Sequence, residues 1–276
     1  MIAGLVFSKD RACQLHLFLE SVERNTDNLF NLKVLYHATT DEYSKAYKKL
    51  IERFPSVVFI KQDNFKQDTL EVCKSFSEPT IAFFVDDDII YRKLELQEDF
   101  LDIFKHGVCS LSLRLGSNTV IQDTHTGSRA IMPQVDGVIN DKFYCWSWKN
   151  ISQYHTNFGY PFSVDGNIYP REEIISLFDR YDFDTPNSLE GAFNKEWLSY
   201  RPNMTCMELS CLINTPLNLV GSSQNMAGKF FGISLEKLNE KYLKDCYIDY
   251  DKIDFSNIMG CHQELKMEFT CNLHLG

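Results

Sequence analysis

The sequence predicts an α/β protein whose mostly parallel central sheet lies between two layers of helices. In the first half, short apolar runs alternate with segments of helical periodicity, which is the pattern of parallel strands joined by crossover helices. Hydrophobic residues make up 44% and charged residues 24% of the chain, and this ordinary globular usage argues against a disordered or fibrous protein. No repeat or linker interrupts the sequence, so we expect one domain over residues 1–276 with two halves, 1–115 and 116–276.

The first half is predicted to contain four strands and three helices in alternation. The predicted strands span residues 2–7, 32–36, 57–60 and 80–85. The first helix has an apolar stripe at helical spacing, formed by Leu15, Phe18, Leu19 and Val22. The second and third helices are expected at residues 42–54 and 67–76, and the proline that follows each marks its end.

The second half has weaker periodicity, and its elements are predicted to be shorter and less regular. Residues 116–141 are rich in Gly, Asp, Ser and Thr, which predicts a long loop or an irregular hairpin. The other predicted elements are helices at 96–104, 172–181, 188–198 and 234–244 and strands at 108–114, 143–148, 163–168, 211–214 and 265–271.

Charge and cysteine usage limit the classes of partner and compartment. Lys and Arg total 28 against 38 Asp and Glu, a net charge of −10, which argues against nucleic-acid binding through a general basic surface. Nine scattered cysteines show no metal-ligand spacing, so we expect reduced thiols in a cytoplasmic protein. The first apolar run is predicted to be a strand and not a signal peptide, and no stretch approaches the roughly 18 apolar residues of a membrane span. Peripheral contact with the inner face of a membrane remains compatible with these observations.

The segment FFVDDDIIY carries the strongest chemical signal, because a buried strand ends in Asp86, Asp87 and Asp88. Adjacent carboxylates repel each other, which makes the arrangement costly without a cation. In an extended segment Asp86 and Asp88 would point to one side and Asp87 to the other. Two carboxylates at the carboxyl edge of a parallel sheet would suit Mg²⁺ or Mn²⁺ carrying phosphate oxygens. The alternative is a solvated acidic turn that caps the next helix.

This order of elements resembles the nucleotide-diphospho-sugar transferases of the Rossmann-like GT-A fold, whose D-x-D motif follows the fourth strand. The resemblance implies that Asp86 lies near the sugar or ribose and that Asp88 holds Mn²⁺ or Mg²⁺. It also implies that residues 1–115 bind the nucleotide-sugar donor, with UDP- or GDP-linked sugars favoured, and that residues 116–276 bind the acceptor and carry the catalytic group.

The resemblance places the donor pocket in the loops after the first strands. Ser8, Lys9, Arg11 and Asp41 fall in the first two of these loops, and Asp63 follows the third strand. Lys9 or Arg11 could offset diphosphate charge, and Asp63 could accept a hydrogen bond from the base or ribose. Residues 215–232 resemble the segment that closes over the donor, with Asn225 and Lys229 as contacts. Ordinary loop charges and turn residues are the alternative for each of these positions.

For the catalytic half, the resemblance implies a carboxylate that deprotonates the acceptor and a late histidine on the metal. Glu190 is the first candidate base and Asp165 the second, while His262 is the candidate metal ligand. Glu190 could instead be an ordinary acid in the first turn of a helix capped by Asn187 or Ser188. Alternating aromatic residues at positions 144, 146 and 148 could stack on a sugar, although core packing is the favoured explanation for them.

These observations predict a metal-dependent, inverting glycosyltransferase that acts on a glycan or lipid-linked acceptor, and the resemblance suggests a role in polysaccharide biosynthesis. A nucleotidyltransferase is one alternative, but the loop SKDRACQ lacks the glycines of a phosphate loop. A non-catalytic carbohydrate-binding or scaffold protein of the same fold is the other alternative, and it would show neither turnover nor sensitivity to chelation.

Overall fold

The computed structural model describes residues 1–123, 128–151, 157–194, 201–219 and 227–272. Six α-helices are assigned within these ranges: α1 (Ala12–Asn25), α2 (Asp41–Arg53), α3 (Phe65–Lys74), α4 (Arg171–Ile175), α5 (Pro186–Phe193) and α6 (Leu235–Leu243). The strands described are β1 (Ile2–Lys9), β2 (Phe30–His37), β3 (Val58–Lys61), β4 (Thr80–Val85), β5 (Asp88–Ile90), β6 (Val108–Ser112), β7 (Ile121–Asp123), β8 (Ser128–Arg129), β9 (Gly137–Ile139), β10 (Phe143–Ser147), β11 (Asn167–Pro170), β12 (Asn203–Cys206), β13 (Leu212–Asn214), β14 (Cys246–Ile248) and β15 (Phe269–Cys271).

The predicted mixed α/β fold with a mostly parallel central sheet is confirmed. One sheet has the strand order β3-β2-β1-β4-β11-β6-β12-β10-β9. The first four strands in this order are parallel, and β11 enters antiparallel between β4 and β6. Because β10 is the only other reversed strand of this sheet, seven of its nine strands run in one direction.

Two apolar cores cover the two faces of this sheet. Helices α1, α2 and α6 pack on one face, and α3, α4 and α5 contribute side chains to the other core. Strand β4 shows how one element serves both, because Ala82 and Phe84 belong to the first core while Ile81 and Phe83 belong to the second. This alternation follows the period of two in side-chain direction along a strand, and it makes β4 a central strand buried on both faces.

Several predicted elements of the second half have different boundaries. Strand β11 begins at Asn167, so most of the predicted strand 163–168 is loop. The predicted helix 172–181 ends as α4 at Ile175, and a separate 3-10 turn follows at Phe178–Arg180. Strands β5, β12 and β14 were not predicted, because each is a short segment that is extended only through pairing with a distant strand.

The predicted cap of the helix that carries Glu190 is also wrong. Thr185, and neither Asn187 nor Ser188, is the N-cap of α5. The Thr185 hydroxyl accepts the Ser188 N–H, and the Ser188 hydroxyl accepts the Thr185 N–H in return, which is a capping box. Pro186 occupies the first helical turn, where its missing N–H costs nothing.

The expectation that all nine thiols are reduced is wrong for one pair. Cys246 and Cys271 form a disulfide and lie directly opposite each other where β14 pairs with β15. This antiparallel register brings the two sulfur atoms together across 25 residues of sequence, a proximity that cysteine spacing alone does not encode. The other seven cysteines are buried thiols that take no part in this disulfide.

Two further sequence predictions fall wholly or partly outside the described residues. The predicted donor contact Asn225 lies outside them, as do residues 195–198 of the helix predicted at 188–198. None of the helices in the described part of the chain has the length and apolar character that crossing a bilayer requires.

Candidate active site

The site lies at the carboxyl edge of the first four strands. Because β1, β2, β3 and β4 are parallel, their ends at Lys9, His37, Lys61 and Val85 meet at one edge of the sheet. The three aspartates leave this edge from β4. Asp86 and Asp87 form a turn, and Asp88 begins β5, so the segment is not extended as its sequence predicts.

Arg11 connects the first two aspartates. Its Nη1 atom lies 3.0 Å from Asp86 Oδ1 and 3.0 Å from Asp87 Oδ2. Its Nε donates to Asn218 Oδ1 at 2.9 Å, and the Lys9 backbone N–H donates to Asp86 Oδ2 at 3.1 Å. The prediction that Asp87 points away from Asp86 is therefore wrong, because the turn directs both carboxylates to the same guanidinium group.

Asp88 is fully buried, and its two oxygens accept hydrogen bonds from different strands. Oδ2 accepts the Val85 N–H at 3.1 Å, and Oδ1 accepts an N–H of the Asn214 amide at 3.1 Å. The same Asn214 amide nitrogen donates to Asp87 Oδ1 at 2.9 Å. Asn214 reaches this position because β13 pairs with β5 in a register that places Asn214 opposite Asp88.

The predicted catalytic residues form a second acidic cluster with the buried Arg114. Arg114 Nη1 lies 3.3 Å from Asp165 Oδ2 and 3.1 Å from His262 Nε2. Glu190 Oε1 accepts the Val164 N–H at 2.7 Å, and Glu190 is electrostatically coupled to both Asp165 and Arg114. The structure thus brings Glu190, Asp165 and His262 together, although they are far apart in sequence.

The charges in one acidic cluster affect the pKa values in the other. Burial raises the pKa of Asp86 to about 6, although the Arg11 charge opposes this shift. Burial, followed by the charge of Asp165, raises the pKa of Asp88 well above its usual range. The same two causes raise the pKa of Glu190 to about 7. The negative charge of Asp165, in the second cluster, therefore contributes to the raised pKa of Asp88.

The donor set fits a divalent cation. Three aspartates, Asp165 and Glu190 lie near two arginines, so five carboxyl groups are matched by two guanidinium groups. Carboxylate oxygens are the ligands that Mg²⁺ and Mn²⁺ prefer. Within the described ranges, no three His, Cys, Asp or Glu side chains already surround one point as metal ligands. A metal on Asp86 and Asp88 would thus take further ligands from phosphate or water.

The raised pKa of Glu190 predicts a pH-dependent loss of stability. A carboxyl group with a higher pKa in the folded than in the unfolded protein stabilises the fold below its unfolded pKa, and this contribution is lost as the pH rises through the folded pKa. For Glu190 the window runs from about pH 4.3 up to about pH 7. We expect the free energy of unfolding of the wild type to fall across this window, relative to Glu190→Gln, by about 1 to 3 kcal/mol. Urea unfolding of both proteins without metal checks this, and a difference that does not change with pH would contradict it.

The other predicted donor contacts have different environments. The Ser8 hydroxyl is buried and lies 2.6 Å from the Tyr47 hydroxyl. Lys9 and Asp41 are exposed, and so is Asp63, which lies two residues beyond the end of β3 and whose N–H donates to Asp68. Lys229 is exposed, and its backbone N–H donates to the buried Glu264.

Sequence reasoning missed four residues that organise the site: Asp87, Arg114, Asn214 and Asn218. Arg114 and Asn214 each end an apolar run, in VCSLSLR and CLIN. A polar side chain at the end of a buried strand is a usable signal, because strand ends at a sheet edge are where α/β proteins place functional groups. Asn218 offers no comparable signal, since it lies in a loop.

Comparisons with known proteins relate the chain to glycosyltransferases. It is 26% identical over 232 residues to the bifunctional glycosyltransferase pgtA of Dictyostelium discoideum, a match covering 75% of this chain and 30% of that protein. Among solved structures it is similar to S. aureus TarS 1–349, with a TM-score of 0.46, 13% identity and coverage of 76% and 58% of the two chains. It is also similar to the WbbM bifunctional glycosyltransferase, with a TM-score of 0.37, 14% identity and coverage of 71% and 37%.

Family models, structural agreement and coverage define how far these similarities extend. No protein-family model matches the chain. Both TM-scores are below 0.5, so neither structure supports a residue-by-residue comparison. The chain spans 30% of the length of the pgtA protein. The sequence similarity therefore links three quarters of this chain to one part of a curated bifunctional glycosyltransferase.

Proposed function

We propose that the protein is a metal-dependent glycosyltransferase of the GT-A fold that transfers a sugar from a nucleotide diphosphate to a glycan or lipid-linked acceptor. The observation that carries this proposal is the pair of acidic clusters at one sheet edge, with Asp88 and Asp165 close enough to influence each other. One cluster suits a cation and a diphosphate, and the other contains a carboxyl group with a pKa near 7. The similarity to a curated glycosyltransferase supports this pairing.

The two clusters divide the proposed chemistry between them. Asp86 and Asp88 would hold Mn²⁺ or Mg²⁺, which would act as a Lewis acid on the departing diphosphate. Arg11 is positioned beside Asp86 and Asp87, where its guanidinium group can also donate to phosphate oxygens. Glu190 would accept the proton of the attacking acceptor hydroxyl, because a base with a pKa near the working pH is the most effective. A single displacement of this kind would invert the anomeric configuration.

Calorimetric titration tests the donor half of this proposal. UDP, GDP and CDP are titrated into the wild type and into Asp88→Ala, each with Mn²⁺ or with a chelator. We expect one nucleotide to bind in a metal-dependent manner, and Asp88→Ala to weaken this binding by about 100-fold or more, since metal–phosphate contacts contribute several kcal/mol. Asp86→Ala, at the second buried aspartate, serves as a second variant, and the fully exposed Asp182 provides the control Asp182→Ala.

Each outcome of the titration has a consequence. Metal-dependent binding lost in both site variants and kept in Asp182→Ala supports the donor site and identifies the donor class. If the folded wild type binds none of the three nucleotides with Mn²⁺, the transferase proposal fails, and a non-catalytic carbohydrate-binding protein becomes the better description.

A further inference from the structure

A continuous series of hydrogen bonds connects the two acidic clusters. It starts at Arg114, whose Nη1 lies 3.1 Å from His262 Nε2. The other ring nitrogen, His262 Nδ1, lies 3.2 Å from Asn214 Oδ1. The Asn214 amide nitrogen then contacts Asp87 Oδ1 at 2.9 Å and Asp88 Oδ1 at 3.1 Å. Two side chains from distant parts of the sequence, His262 and Asn214, therefore connect Arg114 to the aspartate turn.

The direction of each hydrogen bond follows from chemistry. A guanidinium group has only donors, so His262 Nε2 must accept from Arg114. A neutral imidazole has one donor and one acceptor nitrogen, and its proton therefore lies on Nδ1 and is donated to Asn214 Oδ1. With its oxygen occupied by His262, Asn214 directs its amide NH₂ at the two carboxylates. Every donor in the series points from Arg114 towards the aspartates.

We propose that Arg114, His262 and Asn214 form a directed relay in which Arg114 fixes the tautomer of His262 and His262 fixes the orientation of the Asn214 amide. The three are positioning residues for Asp87 and Asp88, and this catalytic meaning rests on the function proposed above. In this role His262 is a neutral orienting group and not a metal ligand, because both ring nitrogens are engaged within the protein.

Packing and charge favour this arrangement over the reversed one. If the Asn214 amide were turned around, its oxygen would face two carboxylate oxygens, and the repulsion would replace two hydrogen bonds. Arg114 is 2% exposed and Asn214 is 6% exposed, so water cannot readily replace a partner lost by either of them, whereas the His262 side chain between them is 38% exposed. Among the described residues, Arg114 and Asp165 are charged groups beside the His262 ring, and Asp165 Oδ2 lies 3.8 Å from Nε2. The backbone of Asn214 is held by bridges to both Asp88 and His262.

The tautomer of His262 is directly measurable. Long-range ¹H–¹⁵N correlation spectra of the labelled wild type at about pH 8, above the usual histidine pKa of about 6.5, separate the seven histidine side chains. The His262 signals are assigned by their absence in His262→Gln. We expect a proton on Nδ1 and none on Nε2, the tautomer that free histidine populates less. A proton on Nε2, or protons on both nitrogens, would overturn the relay.

Two matched variants test whether Arg114 sets the tautomer. Arg114→Gln keeps a side-chain N–H that can donate to Nε2, and we expect the Nδ1–H tautomer to persist. Arg114→Met removes every donor at nearly the same length, and we expect the two tautomers to mix. If the folded Met variant retains the Nδ1–H form unchanged, Arg114 has no orienting role; if this variant does not fold, the wild-type and Gln spectra decide the question.

The spectra require neither donor nor acceptor, so they separate this inference from the proposed function. If the wild type has the Nδ1–H tautomer but binds no nucleotide, the relay proposal stands and the transferase proposal fails. If the wild type binds nucleotide with metal but carries the His262 proton on Nε2, the transferase proposal stands and the relay proposal fails.

Discussion

Replacing Glu190 with Gln is expected to lower the turnover number by about 100- to 10,000-fold, the range in which a positioned general base contributes, while nucleotide binding stays within about 2-fold of the wild type. Gln has the shape of Glu and can still accept the Val164 N–H, but it cannot accept a proton from the acceptor hydroxyl. Initial rates with a saturating donor, together with calorimetry on the same preparation, check both parts of this expectation.

The pH profile distinguishes Glu190 from Asp165 as the base. If ionised Glu190 is required, the rate should rise through about pH 7, the pKa of this group in the folded protein. Asp165→Asn removes the like charge that helps to raise this pKa, so the acidic limb should move to lower pH while substantial turnover remains. An Asp165→Asn protein without turnover, together with an active Glu190→Gln protein, would assign the base to Asp165.

Replacing Trp146 with Ala is expected to reduce the free energy of unfolding by about 3 to 5 kcal/mol. Trp146 is completely buried, its indole N–H donates to the Phe158 carbonyl oxygen at 2.9 Å, and its ring packs against the Phe158 ring. The substitution would open a large cavity and also remove this hydrogen bond. Urea unfolding monitored by far-UV circular dichroism measures the effect.

Ile131→Ala is the matched control for that experiment, because Ile131 is 77% exposed and its truncation should change stability by less than about 0.5 kcal/mol. A Trp146→Ala protein as stable as the control would contradict the packing described here. The result also bears on the aromatic residues of this strand. Trp146 and Trp148 are both buried, so core packing, and not exposure for stacking on a sugar, explains the two indoles.

The first half of the fold could be predicted from local sequence, because its strands and helices are encoded by periodicities within each segment. The apolar stripe of α1 and the buried run of β4 illustrate this. In contrast, β12 has the sequence NMTC and becomes a strand by pairing with β6 and β10. No local pattern predicts such a strand, since its stability comes from neighbours that are distant in sequence.

The same distinction applies to the site. Parallel strands end at one edge, and this rule led to Asp86 and Asp88 from sequence alone, while the family resemblance led to Arg11. The groups that Asp87 contacts depend on whether residues 86 and 87 continue the strand or form a turn. Consecutive aspartates are compatible with both conformations. Arg114 and Asn214 acquire their roles through strand pairing with β11 and β5. Thr185 was a missed local signal, because Thr-Pro before a helix is a recognisable start.

The position of β11 has a consequence for synthesis on the ribosome. This strand inserts between β4 and β6, so the central sheet cannot close until residues 167–170 have left the exit tunnel. Until then, the nascent chain presents β4 with one unpaired edge, and open edges of apolar strands recruit other chains. Premature stops between residues 85 and 167 would therefore release fragments with this edge unpaired, and we expect such fragments to depend on chaperones.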